Sequence, residues 1–94
     1  MSGSLDALTA ERDRVESELD KLEQEHKDLQ QKSEALAERR ATAQKAGDDL
    51  AKLDVEAEQL AEAKRKNDRL LHQTKKRFND IEEEVAMLQQ SSIV

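Results

Sequence analysis

From Leu5 onward, apolar residues recur at alternating spacings of three and four, the period that lines up one stripe along an α-helix. With Leu5 at heptad position a, the d column reads Leu8, Val15, Leu22, Leu29, Leu36, Ala43 and Leu50, almost wholly apolar. The a column is mixed, because Leu5 and Leu19 alternate with Arg12, His26, Ser33 and Arg40 before the column reaches Gly47. Such a column sustains a coiled coil at a cost in stability. Past Gly47 the stripe runs through Leu53, Ala57, Leu60, Lys64, Asn67, Leu71, Thr74, Phe78, Ile81, Val85 and Leu88, in a frame displaced by three residues between Leu50 and Leu53. Either the supercoil is locally overwound there or the chain turns.

A turn has a mechanism. Gly47 is the only internal glycine beyond the first few residues, and it can take the left-handed conformation that closes a helix, while Asp48 or Asp49 can cap the next one. Lys45 would then lie in the last turn of the first helix, favourable to its dipole. A continuous helix is the alternative, since one internal glycine costs only about 1 kcal/mol. Two all-α architectures follow: a two-stranded coiled coil with arms paired antiparallel across Gly47, as a hairpin or an antiparallel dimer, or a continuous parallel homodimer distorted near residues 47–53. The expected organisation is an expression scar over 1–4, a first helix over 5–46, a turn or distortion at 47–49, a second helix over 50–90 and a frayed tail at 91–94.

Flanking charges lean toward the antiparallel form. In a parallel homodimer Glu11 would meet Glu16, and Glu18 would meet Glu23, with Arg77 and Glu82 the one attractive pair. Folding across Gly47 faces Ala43 with Leu50, Leu36 with Ala57, Leu22 with Leu71, Val15 with Phe78 and Leu8 with Val85. That arrangement brings Glu16 to Lys75, Glu18 to Arg77 and Arg39 to Glu56, against repulsive Glu11 with Glu84 and Glu23 with Asp68. Each exposed pair is worth only tenths of a kcal/mol. In the same frame Arg12 faces Ile81, Arg40 faces Leu53 and Lys64 faces Leu29. His26 meets Asn67 in one all-polar layer that would set register. The predicted pairing core is Leu8, Val15, Leu19, Leu22, Leu29, Leu36, Leu50, Leu53, Leu60, Leu71, Phe78, Ile81, Val85 and Leu88, with Gly47 as the hinge.

Composition supports this picture. The 94 residues include 40% charged and one aromatic, with no Pro and no Cys, the usage of a long helix rather than of a compact mixed core. The absence of Cys excludes a disulfide framework or thiolate metal site and leaves the redox compartment open. No apolar run reaches membrane-spanning length, so a cytoplasmic location is the expectation. Catalysis lacks parts: there is no Gly-rich phosphate loop and no serine with a His and an acid beside it. His26 and His72 stand 46 residues apart without a ligating partner at helical spacing, so no metal or other cofactor is expected.

Charge is segregated. Lys64, Arg65, Lys66, Arg69, Lys75, Lys76 and Arg77 stand against a lone Asp68, while Glu16, Glu18, Asp20, Glu23, Glu25 and Asp28 make the first arm acidic. The basic block is a candidate dock for an acidic protein surface, or a solvated face answered by the acidic arm. A net charge of −6 and the lack of interleaved aromatics argue against nucleic acid. Acid-before-base pairs such as Glu23 with Lys27 and Glu62 with Lys66 support the helix locally.

The Leu-rich d column over residues 8–36, polar a positions Arg12, Ser33 and Arg40, and dense surface charge resemble rod segments of cytoskeletal and centrosomal coiled-coil proteins, the myosin-rod and centriolar-cartwheel families among them. The resemblance implies a rigid arm, spacer or self-association module within a cytoskeletal scaffold, partnered by a copy of itself or by another helix. A binding module whose apolar stripe or basic block docks a partner helix or acidic surface is the alternative.

Overall fold

A computed structural model describes residues 2–93, with side chains described from residue 4 to residue 90. Helix α1 spans Ser2–Ala46 and helix α2 spans Ala51–Ile93, and the described residues contain no strand. The helices pair antiparallel as a helical hairpin. Their contacts gather into two compact units: a turn unit, Glu23–Arg69, and a terminal unit in which the segment up to Leu22 packs on the segment from Leu70.

The turn is built as the glycine position suggested. Gly47 has a φ of +74°, in the left-handed region where a side chain is strained. Its N–H donates to the Gln44 carbonyl at 3.2 Å, and the Asp48 N–H donates to the Ala43 carbonyl at 2.9 Å. This nested pair is a Schellman closure, which satisfies two carbonyls that α1 would otherwise leave bare. Lys45 lies in the last turn of α1. On the far side the Leu50 carbonyl accepts the first α2 bond, from the Asp54 N–H at 2.8 Å, while Asp49 Oδ1 accepts from the Ala51 N–H at 3.0 Å. Asp49 thus caps α2 from one residue before the cap position itself, which Leu50 occupies.

Boundaries shift slightly from expectation. The non-helical stretch is 47–50, α1 begins before Leu5, and α2 continues past Gln90 to Ile93. Neither end contains a proline, and the lone Gly3 is too weak a breaker to stop a helix. Residues 91–93, expected to fray, therefore belong to α2, whereas Met1 and Val94 lie outside the described residues.

In the terminal unit, Val15, Ile81 and Val85 form a buried cluster against which Leu5, Leu8 and Phe78 pack. In the turn unit Leu29 and Leu36 are buried. Leu19, Leu22, Leu50, Leu53, Leu60 and Leu71 are half-buried, as befits a two-stranded seam covered from one direction only. Leu88 departs from the predicted core: it is 38% exposed. It lies one turn beyond Val85, the last buried residue of α2 among the described side chains.

Candidate functional site

Two flanks border the seam, one lined by the e positions of both helices and one by the g positions. On the e flank of the terminal unit, Arg12 Nη1 lies 3.5 Å from Glu82 Oε1. On the same flank of the turn unit, His26 Nδ1 lies 3.6 Å from Asp68 Oδ1, and Arg40 pairs with Asp54. These three α1 residues are 14 apart in sequence, and so are their acids. Each polar a residue faces a d residue of α2, namely Ile81, Asn67 or Leu53, but its head group reaches sideways to the acid that follows. Snorkelling of this kind keeps the stem in the seam and the charge in water. The signal was legible in the sequence as an acid directly after every second d position of α2.

The expected all-polar layer of His26 and Asn67 is therefore corrected. Asn67 is buried, 2% exposed, whereas the His26 side chain is 49% exposed and turned toward Asp68. A short amide fits inside the seam, while the larger imidazole gains solvent and an acidic neighbour by leaning out.

The g flank carries Arg39 Nη1 to Glu56 Oε2 at 3.0 Å in the turn unit, as the charge pattern predicts. In the terminal unit, Arg77 donates from Nη2 to Glu11 Oε1 rather than to Glu18. That hydrogen bond, then the charge of Glu11 and lastly that of Glu18, hold the Arg77 guanidinium above its ordinary pKa. Arg77 thus answers both acids and offsets the repulsion between Glu11 and Glu84. Glu16 and Lys75 form no ion pair among the described residues. All ion pairs there run between the helices; the within-helix acid–base pairs stay solvated, as their small individual worth allows.

The basic block lies on α2. In the turn unit Arg65, Lys66 and Arg69 are exposed and Lys64 is half-buried; in the terminal unit Lys75 and Lys76 are exposed, and Arg77 is engaged by Glu11. His72 is exposed. The turn unit also has a groove on each flank. The e-flank groove, about 240 Å³, is bordered by Ser33, Leu36, Ala37, Arg40, Ala57, Leu60, Ala61 and Lys64. The g-flank groove, about 450 Å³, is bordered by Leu29, Lys32, Ala35, Leu36, Arg39, Glu56, Gln59, Leu60 and Ala63. Both are open because alanines flank the seam here, with Leu36 buried beneath them and Leu60 half-buried.

Among the described residues no group of three or more His, Cys, Asp or Glu is placed to hold a metal ion, and no helix is long and apolar enough to cross a membrane. No family model, curated protein or solved structure matches this chain.

Proposed function

We propose that the chain is a non-enzymatic structural coiled coil, acting as a rigid arm, spacer or self-association module of a larger cytoskeletal scaffold. The observation that supports this most is the pairing within each unit: apolar layers down the seam are joined by cross-helix ion pairs on its flanks, Arg12 with Glu82 and Arg77 with Glu11 in one, Arg39 with Glu56 and Arg40 with Asp54 in the other. Layers of this kind resist sliding and bending, because a one-turn slip would break apolar packing and ion pairs together. Spin labels replacing the exposed Glu34 and Glu62, both in the turn unit, test the rigidity. A single narrow distance distribution is expected, and a broad or bimodal one refutes the rigid arm.

A second reading is favoured by the free cations of α2. In the turn unit Arg65, Lys66 and Arg69 are exposed and form no ion pair among the described residues, which suits docking to an acidic protein surface. Titration with a Glu-rich peptide should show salt-sensitive binding that Lys66→Glu with Arg69→Glu abolishes. Binding unchanged by that pair of substitutions would sink this reading.

A further inference from the structure

The polar a residues Arg12, His26 and Arg40 of α1 each have an acid of α2 beside them, but Lys64, the one cation in the a column of α2, has none on α1. Lys64 is half-buried at the end of the e-flank groove and forms no ion pair among the described residues. By the register that gives Arg12, His26 and Arg40 their acids, the residue following its facing d residue, Leu29, is Gln30, which carries no charge. At the other end of the groove Arg40 is already answered by Asp54. Between these ends the wall is apolar apart from Ser33, and both flanking e positions are alanine, Ala37 and Ala61. The Lys64 charge stands at the edge of this apolar surface, and a carboxylate brought to it would make a charge-assisted contact that α1 does not supply.

We infer that this groove is the docking site for an acidic amphipathic helix of a partner protein, whose small apolar residues cover Leu60 and the alanines beside it and whose carboxylate meets Lys64. The groove follows residues 57–64 of α2, about 10 Å of helix, so the partner would present two turns with apolar residues at i, i+3 or i+4, and i+7. A second copy of this chain fits less well, because its apolar stripe is consumed by its own pairing and its outer faces are mostly charged, with Val55 and Met87 as isolated apolar exceptions. The inference rests on the turn unit being a preformed hairpin in the free chain.

The test uses the full chain and two synthetic probes, stapled helices of about 18 residues so that they are helical in isolation. One carries an Ala and Leu face with Glu one turn away; the other has Gln in place of that Glu. The Glu probe should bind about ten-fold more tightly than the Gln probe, as a charge-assisted contact implies, and should shift the amide resonances of Ser33, Ala37, Ala57 and Ala61. Lys64→Gln and Gln30→Glu should each remove the difference between probes, the latter by giving Lys64 an internal acid. Ala61→Leu, which fills the groove, should abolish binding of both. Equal affinity for the two probes, shifts elsewhere on the hairpin, or no binding by a free chain that is fully helical overturns the docking site alone. Low helicity in the free chain overturns the preformed hairpin as well. Self-association of the chain that Lys64→Gln removes would assign the groove to a second copy and overturn the partner helix.

Discussion

Replacing Gly47 with Ala separates the turn from a continuous helix by the sign of its effect. In the hairpin the residue sits at φ +74°, and a Cβ built there meets nothing within 4 Å. Tertiary crowding therefore contributes nothing, and the penalty is the local left-handed one, about 1–2 kcal/mol for an L-residue. The loss of glycine's freedom in the unfolded chain returns about 0.4–1 kcal/mol. The net expectation is a hairpin weaker by about 1 kcal/mol. Were residue 47 inside a helix, Ala would instead strengthen the fold by about 1 kcal/mol, so the two arrangements differ by about 2 kcal/mol in the same experiment. Urea unfolding followed by helicity measures the shift, and sedimentation over a concentration series measures the mass alongside it. Gly47→Asn serves as a control, since Asn tolerates the left-handed region and should cost less than Ala. A more stable Gly47→Ala chain of unchanged mass would refute the turn argument. A more stable chain of doubled mass would mean that the straightened helix pairs antiparallel with a second copy through the same layers.

Val15→Ala should cost about 2 kcal/mol, because Val15 is 2% exposed within the terminal cluster; Val55→Ala, at a residue 55% exposed, should stay within about 0.5 kcal/mol, and equal effects in thermal unfolding would contradict the placement of the core. Asn67→Leu should raise the melting temperature while loosening orientation, as removal of a buried polar residue does in coiled coils, with light scattering reporting any mixture of masses; a lower melting temperature with unchanged mass would show that Asn67 is a net stabiliser. A double-mutant cycle on Arg40→Gln and Asp54→Asn should give a coupling below about 1 kcal/mol that fades in 1 M salt, because both side chains are about half exposed; a coupling that survives high salt would place the pair in a drier setting than its exposure indicates.

Which residues face inward was written in the chain, because a stripe with spacings of three and four can bury only one side of a helix, and Val15, Leu29, Leu36, Ile81 and Val85 all lie on it. The displaced frame around Gly47 likewise carried the turn, since only glycine takes a positive φ there without strain. The same stripe could not say how polar residues within it would settle. His26 and Asn67 occupy facing positions of the repeat, yet Asn67 is buried and His26 leans out to Asp68. Nor could charge order alone choose Glu11 over Glu18 for Arg77, or leave Lys64 without an acid. Periodicity constrains the direction in which a Cβ points, and so determines faces; where a long charged side chain ends depends on which neighbours flank it across the seam, and only the pairing of the two helices in space brings those neighbours together.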